Sequence, residues 1–410
     1  MIHGVLSSLE LHLRFPAGTV VETLCLEDTA CGLYPCYYRV FRERLKVCTS
    51  AANLIVDAGS LETNPAFQPR EYLLRADVRE LFVRGTAAFP RFAKNAAKSL
   101  LPAPLLRRLS KNRFWYESWD TFDTRVRKLK PFECVAAQGA NNGFQPDFSL
   151  KSADMLVEMV ADHLQRFVHH VETAFPDHEH VLMLAGRDSQ IVALIPKQRP
   201  ERWHVFTAAP NRLLVWKWLA WNNVTTGMVF GHDNHNEETP EETARKIVCS
   251  DLYSDPRHMR WLPALKRIAD GFGGRCIFWA GSAGDALHVG RSFHRRYAHG
   301  NPANFFHIHL TRVPCLVGNY HQVVKNFTGC PLLSPYHSAE IWRAVYIHHG
   351  PSVIPAGVDL RPRIGERVAG RQIRWLDENP APRPYPYFAP FNASEIYLQH
   401  LHEAMKNSAA

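Results

Sequence analysis

The stretch that decides the fold is Val181-Leu182-Met183-Leu184-Ala185-Gly186-Arg187-Asp188-Ser189-Gln190, followed by the apolar run Ile191 to Ile195. Apolar residues lead into a small Ala-Gly pair, and a cation, a carboxylate and a hydroxyl follow. This order predicts a buried strand, a tight turn and the start of a helix. Such a turn is a natural phosphate site, because its backbone N–H groups and the helix dipole both attract an anion.

The residue types in this turn also suggest a metal. Gly186 would let a phosphate approach the backbone closely, and the Ser189 hydroxyl could donate a hydrogen bond to it. Asp188 would repel a phosphate, so a carboxylate at this position is best explained by a shared Mg²⁺. The alternative is an ordinary strand-to-helix turn in which Asp188 or Ser189 caps the helix.

A second turn of the same kind follows the predicted strand at residues 275–280. It reads Gly281-Ser282-Ala283-Gly284-Asp285-Ala286, with small residues and one carboxylate. The strands alternate with helices, including a predicted helix that Ser152 caps and another that begins with the capping box Thr239 to Glu242. This alternation predicts an α/β fold with a doubly wound parallel sheet. Ligands of such sheets bind at the carboxyl ends of the strands, where Asp188 and Asp285 would share one Mg²⁺-phosphate.

Composition limits the classes of function. The chain has 410 residues, 48 basic and 39 acidic, with a net charge of +9. The positive balance favours anionic ligands such as ATP or an acidic peptide, and no nucleic-acid motif occurs. No apolar run approaches the roughly 20 residues of a membrane span, and the start lacks the pattern of a secretory signal. The nine cysteines include no Cys-x-x-Cys pair, which fits a reducing cytoplasm and argues against structural zinc.

The amino-terminal part has a different pattern from the rest. Short β-prone runs at residues 20–26, 37–41 and 45–48 predict a β-rich domain over residues 1–134, including a linker. Glycine, asparagine and proline in residues 135–148 predict a loop at the domain boundary. The second domain is predicted to span residues 149–410.

Both site candidates resemble motifs of the asparagine synthetase family. The first resembles its pyrophosphatase loop, Ser-Gly-Gly-x-Asp-Ser: Gly186, Asp188 and Ser189 match, whereas Leu184 and Ala185 replace the first Ser and Gly. The segment from Gly281 resembles the family's Ser-Gly-Glu-Gly-x-Asp-Glu. Asp285 fills its Asp position, and Ser282 and Ala286 replace the two glutamates.

Other segments resemble the family in the same order along the chain. Residues 32–50 are similar to the end of its glutaminase domain, residues 119–131 to its linker, and residues 329–336 to its Arg-x-Pro-Phe-Leu-Asp segment. Residues 359–364 occupy the place of Lys-x-x-Leu-Arg, whose lysine contacts the adenylate. That lysine position is not clearly filled here; Arg361 or Arg363 could substitute for it, or each could be an ordinary surface arginine.

The resemblance implies a synthetase domain of the adenine-nucleotide α-hydrolase (ATP pyrophosphatase) type behind a reduced glutaminase domain. It implies ATP and Mg²⁺ as cofactors, with Asp188 and Asp285 as metal ligands and Arg187 and Arg361 neutralising phosphate. The positions expected to bind the nucleotide are Leu184, Ala185, Gly186, Arg187, Asp188, Ser189, Gly281, Ser282 and Gly284. The family's glutaminase uses an amino-terminal cysteine, but no cysteine precedes Cys25, so we expect no glutamate to form from glutamine.

The implied reaction is adenylation of a substrate carboxylate followed by attack of an amine. The substrate would be a small molecule or peptide carrying both groups, with a precursor peptide or partner protein in some relatives, as in lasso-peptide cyclases and β-lactam synthetases. No nucleic acid or membrane partner is expected. Two alternatives stay open: a degenerate relative that serves as a binding or scaffold subunit, which Leu184, Ala185 and Ala286 favour, and tRNA-base thiolation, which the missing cysteine pair disfavours.

Overall fold

The structure is a computed structural model of the chain, and it combines α-helices with two separate β-sheets. None of the helices it describes is both long enough and apolar enough to cross a bilayer. The residues that the structure describes are 2–30, 32–67, 119–142, 152–208, 211–232, 239–253, 259–282, 284, 318–348, 358–376 and 393–409.

The first sheet is mainly antiparallel and is built from the amino-terminal part of the chain. Its strand order is β5-β3-β4-β2-β6-β7, and β1 pairs with β2 in parallel. The elements of this part are β1 (Ile2–Ser7), α1 (Ser8–Arg14), β2 (Val21–Glu27), β3 (Tyr37–Phe41), β4 (Arg44–Cys48), α2 (Ala51–Asp57), β5 (Arg127–Lys128), β6 (Glu133–Ala136) and β7 (Gly139–Asn142). The predicted strands at residues 20–26, 37–41 and 45–48 are confirmed as β2, β3 and β4.

The prediction of a loop over residues 135–148 is wrong for residues 135–136 and 139–142, which are in strands. Residues Glu133–Ala136 and Gly139–Asn142 form an antiparallel hairpin that joins the sheet through β2. The sequence Gly-Ala-Asn-Asn has little intrinsic preference for a strand, so pairing with a formed neighbour decides its conformation. The remaining residues, 143–148, lie outside the described part of the chain.

The second sheet is parallel throughout. It has the order β10-β9-β8-β11-β12, and every neighbouring pair of strands is parallel. Its strands are β8 (Glu179–Met183), β9 (Trp203–Ala208), β10 (Val229–His232), β11 (Cys276–Trp279) and β12 (Leu332–Leu333). On one side of β8 the sheet continues with β9 and then β10, whereas on the other side it continues with β11 and then β12. The order therefore reverses between β8 and β11, where ligands of open α/β sheets bind.

Helices cover both faces of this parallel sheet. They are α3 (Ala153–Ala174), α4 (Arg187–Leu194), α5 (Arg212–Trp221), α6 (Pro240–Cys249), α7 (Leu262–Gly271), α8 (Gly318–Thr328), α9 (Ala339–His348) and α10 (Arg361–Ala369). The last helix, α11 (Ala393–Ala409), packs instead on α2 and α6. Leu182 of β8 is buried in a core with α3, α4, α5, α9 and α10, whereas its neighbour Val181 is buried in another with α6, α7 and α8. Successive strand residues point to opposite faces, so both faces are apolar. The prediction of an α/β fold with a parallel sheet is confirmed.

The helix starts follow the predicted capping chemistry. The Ser152 hydroxyl accepts a hydrogen bond from the backbone N–H of Met155. Thr239 and Glu242 form the complete capping box, with Pro240 as the first helical residue. Both caps satisfy N–H groups that have no partner inside the helix.

One buried carboxylate joins helices from distant parts of the chain. Asp251, just beyond α6, accepts hydrogen bonds from the backbone N–H groups of Ala51 and Ala52 at the start of α2, both at 2.9 Å. It also accepts from the Gln322 amide of α8 at 2.6 Å and the Tyr397 hydroxyl of α11 at 2.7 Å. Asp251 therefore connects the antiparallel sheet with two helices from the carboxyl-terminal part of the chain.

Candidate functional site

The turns that follow β8 and β11 meet at the reversal point of the parallel sheet. An added Cβ at Gly281 would lie 2.3 Å from the Ser189 backbone nitrogen, and one at Gly284 would lie 2.6 Å from the Asp188 carboxyl carbon. The backbone of the second turn is therefore in direct contact with the first turn of α4. The predicted meeting of the two turns is thus found for Asp188, Ser189, Gly281 and Gly284. Asp285 lies outside the described residues.

The first turn is held by its own hydrogen bonds. Leu184 continues the strand pairing, because its N–H donates to the Phe206 carbonyl at 2.9 Å, and its side chain is buried in the core. The Ser189 hydroxyl accepts from the Ala185 N–H and donates to the Gly186 carbonyl, each at 2.9 Å. Leu184 therefore offers a ligand only its backbone, and the Ser189 hydrogen is engaged within the turn.

Charged side chains form a network above this turn. Arg361, at the start of α10, makes two 2.8 Å hydrogen bonds to Asp359 and reaches Asp188 at 3.3 Å. Arg187 pairs with Oδ2 of the same Asp359 carboxylate at 3.1 Å. The Arg361 side chain is 8% exposed and that of Asp188 is 20% exposed, so the pair is shielded but reachable from solvent. Burial lowers the pKa of Arg361, but the Asp359 and Asp188 carboxylates outweigh it and raise that pKa above its usual value.

Three further side chains, none of them among the predicted site residues, hold this arrangement. Asp359 aligns both arginines from 172 residues beyond Arg187. The Tyr336 hydroxyl donates to the Asp188 carbonyl at 2.9 Å. The buried Gln190 amide donates to the Ala185 carbonyl at 3.4 Å and accepts from the Leu376 N–H at 3.2 Å. The contacts of Asp359 with Arg187, of Tyr336 with Asp188 and of Gln190 with Leu376 join segments far apart in the chain, so no local motif contains them.

The described residues fit a ligand that carries phosphate. A Cβ at Gly186 would meet no atom within 4 Å, so the space beside the turn is open. Among the described residues, the buried Arg187 Nε, Thr207 Oγ1 and Asn211 Oδ1 have no hydrogen-bond partner. All three belong to the same carboxyl-terminal edge of the sheet as Gly186, and a polar ligand would satisfy them. Asp188 is the described carboxylate that fits Mg²⁺; the described residues contain no cluster of three His, Cys, Asp or Glu side chains for a metal.

The structure also contains a cavity of about 550 Å³ away from these turns. It lies between α2, α6, α8 and α11, and its charged lining residues include Arg245, His400 and Glu403. The Arg245 guanidinium already has partners within the protein, because it donates to the Phe327 carbonyl at 2.8 Å and stacks on the Phe327 ring. The lining glycine, Gly18, does not follow a strand of the parallel sheet, and the lining arginine already has partners, so we place the candidate site at the sheet edge instead.

The glycine contact between the turns can be tested directly. We expect Gly281→Ala to destabilise the protein by about 1–3 kcal/mol, because its Cβ would overlap backbone atoms that cannot rotate away. Gly271→Ala is the matched control, since a Cβ there meets nothing within 4 Å and alanine favours the helix. Urea denaturation of both variants measures the difference. Equal stability of the two variants would contradict the contact.

Comparison with known proteins identifies no relative: the chain matches no protein-family model and no curated protein sequence. Its chemistry therefore has to be argued from the residues that meet at this edge of the sheet.

Proposed function

We propose that this protein is an ATP-dependent ligase that adenylates a substrate carboxylate and then joins it to an amine, without glutamine hydrolysis. The proposal includes an asparagine-synthetase-like architecture, with a parallel-sheet domain of the adenine-nucleotide α-hydrolase type and a reduced glutaminase-like domain ahead of it. The strand order of the parallel sheet, 3-2-1-4-5 in chain order, is compatible with that type of nucleotide-binding domain.

The observation that carries the proposal is the contact of Gly281 and Gly284 with Asp188 and Ser189 at the reversal point of the sheet. The turn after β11 approaches the first turn of α4 so closely that neither Gly281 nor Gly284 tolerates a side chain. In the turn after β8, the space beside the Gly186 backbone is open. Arg361 and Arg187 lie next to this turn, where they pair with Asp188 and Asp359. An accessible backbone, the N-terminus of a helix and two guanidinium groups are together favourable for binding a triphosphate.

In the proposed first step, an oxygen of the substrate carboxylate attacks the α-phosphorus of ATP, and the bond to the bridging oxygen breaks to release pyrophosphate. Arg361 and Arg187 would neutralise the charge that accumulates on the leaving group. In the second step, the amine nitrogen attacks the activated acyl carbon, the bond to AMP breaks, and the nitrogen loses a proton. The chain mainly positions the reactants and stabilises charge.

Mg²⁺ fits this scheme through Asp188, with Asp285 proposed as the second ligand. The ion would supply positive charge to the phosphate oxygens. Asp359 holds Arg361 beside Asp188, so the carboxylate of Asp188 keeps a cationic partner in the ligand-free protein. The proposed substrate is a small molecule or a peptide that carries both a carboxylate and an amine. A precursor peptide or partner protein could deliver it.

The test is ATP–pyrophosphate exchange across a panel of carboxylates: free amino acids, dicarboxylates, and peptides with aspartate or glutamate side chains. We expect exchange with at least one class of carboxylate, dependent on Mg²⁺. Hydroxylamine added to the same mixtures should trap the activated acyl group as a hydroxamate. Arg361→Ala should lower the exchange rate about 10-fold or more, through loss of a charge-assisted contact. Absence of exchange and of hydroxamate with every carboxylate, despite Mg-ATP binding, would contradict a ligase.

A catalytically inactive binding subunit is the second candidate, and the Asp188–Arg361 ion pair favours it. A carboxylate paired with a shielded guanidinium is a stable arrangement without any metal. Leu184, buried in the core at the position where the asparagine synthetase motif has serine, also favours the inactive subunit. Calorimetry separates the two candidates, because the inactive subunit predicts no Mg-dependent binding of ATP.

A further inference from the structure

The turn after β11 contains a serine whose hydroxyl faces a buried histidine. Ser282 is partly exposed, and its Oγ lies 3.2 Å from Nε2 of His321, a fully buried residue of α8. The other ring nitrogen of His321, Nδ1, lies 2.6 Å from the Leu332 carbonyl oxygen. The histidine therefore contacts a backbone carbonyl on one side and the serine hydroxyl on the other.

These contacts fix the direction of both hydrogen bonds. A carbonyl oxygen can only accept, so Nδ1 of His321 must carry a hydrogen. Burial lowers the pKa of His321 to about 3, so the ring is neutral at physiological pH. A neutral imidazole has one N–H, hence Nε2 carries a lone pair. The Ser282 hydroxyl must then donate its hydrogen to Nε2.

A serine hydroxyl has only one hydrogen, so Ser282 has none left for a ligand. Its oxygen retains lone pairs, and it can act only as a hydrogen-bond acceptor. The backbone around it is fixed as well, because the Ser334 hydroxyl donates to the Ser282 carbonyl at 2.8 Å. Ser282 lies between Gly281 and Gly284, the residues that contact the Asp188 turn. An acceptor-only oxygen thus lies beside the proposed phosphate site.

Phosphate oxygens are also acceptors, so this hydroxyl repels them rather than binding them. The expected role of Ser282 in holding ATP can therefore involve only its backbone. The donors of ATP itself are on its ribose and adenine, away from the β- and γ-phosphates. Near those phosphates, the hydrogen-bond donors of the proposed reaction are the N–H groups of the attacking amine and a water on Mg²⁺. The amine suits the position better, because a neutral oxygen binds an N–H group while leaving the nitrogen lone pair free to attack.

We propose that the Ser282 oxygen accepts a hydrogen bond from the attacking amine of the substrate, and that His321 is the positioning residue that keeps Ser282 an acceptor. This inference rests on the proposed ligase function and adds the amine subsite to it. The amine nitrogen forms the C–N bond, the C–O bond to AMP breaks, and the departing proton passes to solvent water. His321 does not take that proton, since its remaining lone pair already accepts the serine hydrogen.

Kinetics with hydroxylamine and methylamine as probe amines test the subsite. We expect Ser282→Ala to raise the KM for each amine about 5- to 10-fold, through loss of one hydrogen bond, while ATP–pyrophosphate exchange stays unchanged. Ser8→Ala is the matched control, because Ser8 is a buried serine that donates to a side chain, Asp28, in the other sheet domain. Unchanged amine KM with weakened ATP binding would show a phosphate contact and overturn the proposal. A shifted Mg²⁺ requirement alone would assign the hydroxyl to metal-bound water, and would overturn it too.

The tautomer of His321 gives a readout that does not depend on activity. In the full-length protein with ¹⁵N-labelled histidine, we expect a neutral ring protonated at Nδ1, with the resonance assigned through His321→Asn. A ring protonated at Nε2, or charged at pH 7, would overturn the inference even if the protein is a ligase. Conversely, a protein that forms no hydroxamate with any carboxylate would refute the ligase and its amine subsite together, whatever the tautomer.

Discussion

Replacing Asp188 with alanine is expected to weaken Mg-ATP binding roughly 100-fold or more, the range found when one partner of a shielded charge contact is removed. Asp188 stands at the first turn of α4, where the open backbone at Gly186 admits a phosphate. Without its carboxylate, nothing at this position compensates the charge of a divalent cation. The same loss should reduce dependence on Mg²⁺, because the Arg361 Nη1 that bonded Asp188 can then bind phosphate, while Asp359 still holds the rest of the guanidinium. Calorimetric titration with ATP, with and without Mg²⁺, measures both effects.

Asp154→Ala is the matched control for this experiment. Asp154 also pairs with an arginine of α10, Arg363, but both side chains are exposed at the helix surface. Alanine at this position removes an Asp–Arg ion pair but leaves the turns after β8 and β11 unchanged, so ATP binding should not change. Asp285→Ala should weaken Mg-ATP binding as Asp188→Ala does. Wild-type affinity in Asp188→Ala, with the control also unchanged, would rule out the metal role.

The strand, turn and helix around Asp188 could be predicted because their signals are local. Apolar residues that stop at Ala185-Gly186 and resume after Ser189 locate the end of β8 and the start of α4 around one short turn. The capping boxes, the alternation of strands and helices, and the meeting of two glycine turns follow from similarly short patterns. Each of these features depends on residues close together in the chain or on a general rule of parallel sheets.

The charge network and the hydroxyl directions could not be predicted, because they depend on contacts between distant segments. Arg187 and Asp359 are 172 residues apart, and no pattern pairs them. Ser189 looks like a phosphate donor in sequence, but the tight turn brings the Gly186 carbonyl within its reach. Ser282 likewise becomes an acceptor only because α8 places His321 beside it. The sequence thus indicated which segments form the candidate site. The tertiary contacts determine which polar atoms of those segments remain available to bind a ligand.

Replacing Asp251 with alanine is expected to lower the free energy of unfolding by roughly 3–5 kcal/mol at pH 7.5. The side chain is buried and accepts from two backbone N–H groups of α2, from Gln322 and from Tyr397. Alanine would leave these donors in an interior that water does not reach, and each buried unsatisfied donor costs about 1–3 kcal/mol. Ser250→Ala is the control, because that neighbouring buried hydroxyl donates to the Ile247 carbonyl of the preceding helix and, among the described residues, has no bond to α2, α8 or α11. We expect it to cost about 1 kcal/mol.

The pH dependence gives the sharper test of Asp251. Burial raises its pKa from 3.8 to about 6, although the hydrogen bonds from Tyr397, Ala51, Ala52 and Ser50 partly oppose the shift. Between about pH 4 and 6 the folded protein therefore binds more protons at this site than the unfolded chain does. The stability that Asp251 contributes must fall as pH rises through that window, by about 3 kcal/mol at 1.36 kcal/mol per pKa unit. Asp251→Asn cannot titrate, so the stability of the wild type minus that of this variant, from urea denaturation, should decline over the same window. A difference that rises with pH would mean that the donors outweigh burial and that the carboxylate is stabilised as an anion.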